Sequence, residues 1–161
     1  MAQQLSLKGR ALRLLATREH SRRELGRKLA PHAADAAQLE AVLEQLQAKG
    51  YINDQRVVES VLHRRAGKLG ATRVRQELQQ KGLDPQAVND AVTKLQSTEL
   101  ARAQAVWARK FAQPDVESGG PASDAGARAK QMRFLAARGF AGDTIRRVVK
   151  GLSDDELHAS D

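Results

Sequence analysis

Gly50-Tyr51-Ile52-Asn53-Asp54 reads as a junction between two helical segments. Glycine adopts the left-handed backbone conformation that closes a helix, and Asn53 or Asp54 can accept the free N–H groups that open the next one. Tyr51 and Ile52 lie between the two caps. Two adjacent apolar residues cost free energy when left in water, so both are expected to be buried, plugging the seam between neighbouring units. Taken alone the stretch is an ordinary helix-to-helix turn; the pattern on either side gives it weight.

Upstream, residues 7–20 form a first helix with Leu7, Ala11, Leu12, Leu14 and Leu15 at roughly helical spacing. Ser21 caps a second, with Glu24 three residues on as in a capping box, Leu25 and Leu29 as its buried stripe and Pro31 as its end. A third covers 35–49, with Leu39, Val42, Leu43 and Leu46. Downstream the arrangement recurs. Helices are expected over 54–67 (Val57, Val58, Val61, Leu62), over 71–81 (Val74, Leu78, closed by Gly82), and from Pro85 onward (Val88, Ala91, Val92, Leu95). A last segment starts with a helix over 99–111 carrying Leu100, Ala103, Val106, Trp107 and Phe111. Residues 113–124, rich in Gly, Pro and Ser, have the composition of a flexible loop. A helix pair then resumes, with Gly139 in the place of Gly82.

The register of these segments matches. Leu29 and Leu39, Leu78 and Val88, and Leu135 and Ile145 are each ten residues apart. Leu39/Val42/Leu43/Leu46 correspond to Val88/Ala91/Val92/Leu95 and to Ile145/Val148/Val149/Leu152. Matched apolar positions at a period of roughly 45–57 residues are how helical arrays show themselves. The expected fold is all-α: three tandem three-helix repeats over 1–53, 54–97 and 98–152, followed by an acidic tail at 153–161. The alternative is a single irregular bundle of nine helices.

Composition agrees with an array. Aromatic residues make up only 3% of the 161, which argues against one large core. The chain has no cysteine, hence no disulfide, thiolate metal site or cysteine nucleophile. Its first residues lack the basic-then-apolar pattern of a signal peptide, and no window approaches the roughly 18 apolar residues of a membrane span, so a cytoplasmic, soluble protein is expected. The net charge is +8, spread evenly: nine Lys/Arg against five Asp/Glu in 1–50, eight against five in 51–97, ten against five in 98–152. Four acids and no base follow in 153–161. Such a field suits a long polyanion or an acidic protein surface better than a point-like ligand; a merely solubilising surface is the other explanation.

Catalytic chemistry has little to rest on. His20, His32, His63 and His158 form no His-x-x-x-His pair and stand beside no nucleophile motif, and there is no Gly-x-x-x-x-Gly-Lys phosphate loop. His20 with Glu24, and Asp154-Asp155-Glu156-Leu157-His158, are the nearest approaches to a metal site, and ordinary solvated side chains account for both. No catalytic residue, cofactor or metal is expected.

Basic residues, by contrast, recur in register. With Leu29, Leu78 and Leu135 aligned, Arg22 matches Arg128, Arg27 matches Arg133, Arg73 matches Lys130 and Lys81 matches Arg138. Arg27 lies ~200° round its helix from Leu25 and so faces solvent when the leucine faces the core. Arg23 and Arg75 belong to the same helices, and Arg64, Arg65 and Lys68 extend the set. Arginine's planar donor fork suits phosphate or carboxylate. Trp107, Phe111, Phe134 and Phe140 are expected to fill the core of the last repeat, which leaves base stacking a minor mode. No helix shows the clustered Asn/Gln/Arg face of a groove reader, so sequence-specific readout is not expected.

Four stretches together carry a resemblance: Ser21-Arg22-Arg23-Glu24-Leu25-Gly26-Arg27-Lys28-Leu29, Gly50-Tyr51-Ile52-Asn53-Asp54, the segment from Gly70 to Gly82-Leu83, and Phe134-Leu135-Ala136-Ala137-Arg138-Gly139-Phe140. In that order and spacing, over about residues 7–152, the chain resembles the RecX family of recombination regulators. The resemblance implies three tandem three-helix repeats in an elongated, curved array. It also implies a cytoplasmic, monomeric regulator, not an enzyme, that binds the RecA filament and single- and double-stranded DNA and restrains recombinase and ATPase activity in DNA repair, homologous recombination and the SOS response. The contact residues expected from the recurring basic positions are Arg22, Arg23, Arg27, Arg64, Arg65, Lys68, Arg73, Arg75, Lys81, Arg128, Lys130, Arg133 and Arg138. The insert at 113–124 and the acidic tail depart from the family pattern. A nucleic-acid-binding array with no recombinase partner is the alternative.

Overall fold

Polar caps set where the helices begin. Ser6 Oγ accepts the Gly9 N–H (3.0 Å) at the start of α1, Leu7–Thr17. Ser21 and Glu24 form the full capping box of α2, Arg22–Leu29: Ser21 Oγ accepts the Glu24 N–H (3.2 Å) and Glu24 accepts the Ser21 N–H (2.9 Å). Pro31 lies in a 3₁₀ turn, Ala30–His32, directly after α2. Asp35 caps α3, Ala36–Ala48, and Asn53 rather than Asp54 caps α4, Asp54–Arg65, by accepting the Arg56 N–H. Then follow α5 (Ala71–Gln80), α6 (Pro85–Ser97), α7 (Glu99–Phe111), α8 (Ala125–Ala137) and α9 (Gly142–Val149). The computed structural model describes residues 4–112 and 125–151, and among them there is no strand. The insert at 113–124, Leu152 and the acidic tail lie outside the described residues.

The helix before the junction closes in a left-handed turn at Gly50, φ +77°. The Gly50 N–H donates to Gln47 O (3.0 Å) and the Tyr51 N–H to Leu46 O (2.9 Å), which satisfies two carbonyls at the end of α3. Ile52 is buried at 3% exposure, as expected, but Tyr51 is 48% exposed. Consecutive residues outside a helix point to different sides, so one of the pair enters the core and the other is turned out. Arg56 then ties the turn down, donating to Gly50 O (2.6 Å) and to Glu19 Oε1 (3.0 Å). The first helix ends at Thr17, earlier than expected, because Arg18 is extended (φ −167°) and starts the link to Ser21.

The described residues divide into two compact units: those up to Val61 with Glu77–Val88, and Leu62–Gln76 with Asn89 onward. The core of the first contains Leu7, Ala11, Leu25, Leu29, Leu43, Leu46 and Ile52, with Leu39 and Val42 half-buried at its edge. The core of the second contains Ala103, Val106, Leu135, Phe140, Ile145, Val148 and Val149. Trp107 and Phe134, expected inside, are only half-buried against it.

Within the second unit, α5 starts without a Ser, Thr, Asn or Asp cap of its own. The Gly70 N–H donates to Arg138 O (2.8 Å), the Thr72 N–H to Gly139 O (3.3 Å), and the Ala71 N–H to the buried Glu99 carboxylate (2.9 Å). The turn after α8 and the first residue of α7 therefore supply the missing acceptors. Two glycines make this approach feasible: a Cβ on Gly70 would lie 2.2 Å from Gly139 O. Arg102 braces the same unit, donating to Ala66 O (2.9 Å), Leu69 O (2.7 Å) and Leu95 O (2.8 Å). Burial pushes its guanidinium down from the ordinary arginine value, with Glu99 opposing.

Candidate functional site

Of the basic residues singled out in the first unit, Arg23 and Arg27 are exposed on α2. Arg22 is committed within its own unit, to Glu40 (2.7 Å), Glu44 (3.0 Å) and Gln47 (2.6 Å) on α3. These carboxylates raise its pKa. Lys81 is placed differently from the rest: it is buried, with Nζ 2.7 Å from Glu24 Oε1. Arg18 Nη2 reaches the same oxygen at 3.1 Å. Burial opposes ionisation of Glu24, but Lys81, the Ser21 N–H and Arg18 together outweigh it and hold the carboxyl at about 2, well below the usual carboxylate range. Lys81 thus joins the end of α5 to the start of α2, and its ammonium is spent on that bond.

His20 and Glu24, the nearest approach to a metal pair in sequence, are both engaged by protein groups. His20 Nδ1 lies 3.0 Å from Arg18 O and Nε2 lies 3.2 Å from Lys28 Nζ. A carbonyl only accepts and an ammonium only donates, so Nδ1 carries the proton and the ring is neutral. Burial, the largest influence, lowers its pKa. Among the described residues no three His, Asp or Glu come together as a metal-holding group; Asp154 to His158 lie outside them.

In the second unit Arg64, Lys68, Arg73, Arg128, Lys130 and Arg133 are exposed, while Arg65, Arg75 and Arg138 are half-buried. Arg75 donates to Asn89 Oδ1 (3.1 Å), and the Arg73 side chain lies against Gly139. Arg138 folds back over Phe134, with its guanidinium carbon 3.7 Å from the ring centroid. Lys110 Nζ lies 4.8 Å from the same ring. These two cations, with Lys68 and Arg109, line an open pocket of about 280 Å³ floored by Val106 and Phe134. Arg109 and Lys110 were not among the basic residues matched between repeats, since they lie on α7 rather than on the second helix of a repeat. The one sequence signal for them is an Arg-Lys pair beside Phe111 at a helix end, which the alignment of second helices passed over.

Register equivalence therefore predicts exposure for some pairs and not others. Arg27 and Arg133 are both exposed, whereas Lys81 is buried in an ion pair and its counterpart Arg138 covers an aromatic ring. The site residues supply exposed cations and a basic aromatic pocket, which is binding chemistry.

Domain profiles match the chain in order. Residues 8–46 match the first three-helix domain of RecX, 53–92 the second and 97–149 the third. The chain belongs to the RecX family. A regulatory protein RecX from Leptothrix cholodnii is 54% identical over 153 residues, 95% of this chain and 92% of that one. The RecX of Ralstonia nicotianae is 46% identical over 149 residues, 92% of this chain and 89% of its own. The fold agrees with the crystal structure of RecX from Lactobacillus salivarius at a TM-score of 0.68 and 21% identity, covering 94% and 95% of the two chains. It agrees with a second RecX crystal structure at 0.69 and 19%, covering 90% and 70%. An all-helical chain of three RecX three-helix domains is thus established, and the relatives' name places it among regulatory proteins. No helix among the described residues is long and apolar enough to cross a membrane.

Proposed function

We propose that this chain is a monomeric cytoplasmic regulator that binds the RecA–DNA filament and inhibits its recombinase and ATPase activities, acting in DNA repair, homologous recombination and the SOS response. Family membership at 54% identity over 95% of the chain carries this reading. Exposed Arg23, Arg27, Arg73, Arg128, Lys130 and Arg133 supply the charge for it. The repeats over 1–53, 54–97 and 98–152 are the proposed binding units. Non-specific contact with single- and double-stranded DNA accompanies filament binding, because surface arginines and lysines displace counterions from any phosphate backbone.

Retention tests it. RecA filaments on single-stranded DNA should retain the protein at a salt concentration where naked DNA releases it. Affinity for naked DNA should fall by about three orders of magnitude between roughly 50 and 200 mM salt if some six phosphates are contacted. Filament affinity should fall less steeply, since protein contacts add to it. Changing Arg27, Arg73, Lys130 and Arg133 to glutamate should abolish inhibition of RecA with helical content intact. The net charge of +8 also favours a second reading, a nucleic-acid-binding array with no recombinase partner. Equal salt slopes on DNA and filament would select it.

A further inference from the structure

The pocket of the second unit is built rather than incidental. Phe134 near the end of α8 and Arg138 in the turn directly after it are one turn apart, so the guanidinium lies back over the ring, and Arg138 Nη1 donates to Phe134 O (3.3 Å). Phe111 meets Phe134 edge-on, with ring centroids 5.1 Å apart, and fixes its tilt. From α7, Lys110 stands over the same ring, while Arg109 donates to Gly67 O and steadies the loop that carries Lys68. Among the described residues no carboxylate lines the pocket.

Lys68 and Lys110 converge there with no carboxylate among the described lining residues, which suits a negatively charged ligand, and a floor of Val106 and Phe134 calls for an apolar face on it. About 280 Å³ lies at the small end of ligand clefts, room for one nucleotide-sized group. In a duplex the base faces are already stacked; in a single strand they are free to lie on an aromatic or guanidinium plane.

We infer that this pocket holds one nucleotide of single-stranded DNA, its phosphate on Lys68 and Lys110 and its base against the layered Arg138 and Phe134. Arg109 is a positioning residue here. The inference rests on the reading that the chain contacts DNA, and adds a base-stacking subsite to a phosphate-tracking surface.

The test compares labelled oligo-dT with an abasic strand of equal phosphate number, by anisotropy at fixed salt, for the unchanged protein, Lys110→Ala and Arg138→Lys. The unchanged protein should prefer oligo-dT by about tenfold, the scale of one stacked base. Arg138→Lys keeps the charge but loses the plane, and should erase that preference. Lys110→Ala, at an exposed position, should weaken binding of both strands and serves if Arg138→Lys fails to fold, as judged by circular dichroism. Equal affinity of the unchanged protein for the two strands would overturn the subsite. So would a preference that survives Arg138→Lys, no loss with Lys110→Ala, or dTMP binding tighter than the oligonucleotide, which would assign the pocket to a free nucleotide. Filament retention by the unchanged protein is measured separately, so the subsite can fail while RecA regulation stands.

Discussion

Replacing Lys81 with methionine separates a structural cation from a binding one. The substitution keeps the length and apolar stem of the side chain but removes an ammonium 2.7 Å from a buried carboxylate. Glu24 would keep the Ser21 N–H and Arg18, whose side chain is 36% exposed and screened by water. Breaking a buried pair outright costs about 3–5 kcal/mol. With Arg18 still in place, about 2–3 kcal/mol is expected at pH 7, a drop in Tm of about 5–10 °C for a chain of this size. The pH dependence makes the test sharper. Glu24 is held at about 2 in the fold, against ~4.3 in an unfolded chain, so its contribution is complete above pH ~4.3 and is lost as pH falls toward 2. Without Lys81 the carboxyl rises toward its ordinary value and that acid loss shrinks. The two stability curves should therefore differ most near neutrality and converge between pH ~4.3 and 2. Urea denaturation across pH measures this, and a Glu24→Gln, Lys81→Met double-mutant cycle should return about 1–3 kcal/mol of coupling. Equal stability at pH 7, or a gap that does not change with pH, would refute the ion-pair reasoning and return Lys81 to the binding surface.

Ile52→Ala should cost about 2–4 kcal/mol in chemical denaturation, the range for truncating a buried isoleucine, whereas Tyr51→Ala should stay within about 0.5 kcal/mol. Reversal of that order would show that the turn at Gly50 points the other residue inward. Gly70→Ala should destabilise by about 3 kcal/mol, since its Cβ would meet Gly139 O and force the capped start of α5 away from the α8–α9 turn. A thermal melt like that of the unchanged protein would mean the approach relaxes freely.

What was legible in the sequence was what acts within one or two helical turns. The Ser21/Glu24 capping box, the Pro85 start of α6 and the left-handed closures at Gly50, Gly82 and Gly139 all appear where the residues indicated. Each rests on bonds between groups a few positions apart, and apolar periodicity assigned the faces for the same reason. Tertiary structure decided the rest. Tyr51 and Ile52 are both expected inside from the sequence, and the direction of the chain after Gly50 turned the aliphatic Ile52 in and left Tyr51, with its polar hydroxyl, out. Lys81 and Arg138 occupy equivalent positions, yet Lys81 meets Glu24 from 57 residues away in sequence and is buried, while the Arg138 side chain has a local partner, Phe134 one turn back, and stays half-open. The start of α5 has no acceptor of its own and takes three from residues on or after α7, through a close approach that only Gly70 and Gly139 permit. The pocket joins a loop after α4 with α7 and α8. A charge pattern along one helix records where cations are, but whether each is spent on a carboxylate or left to bind depends on which distant residue the fold brings against it.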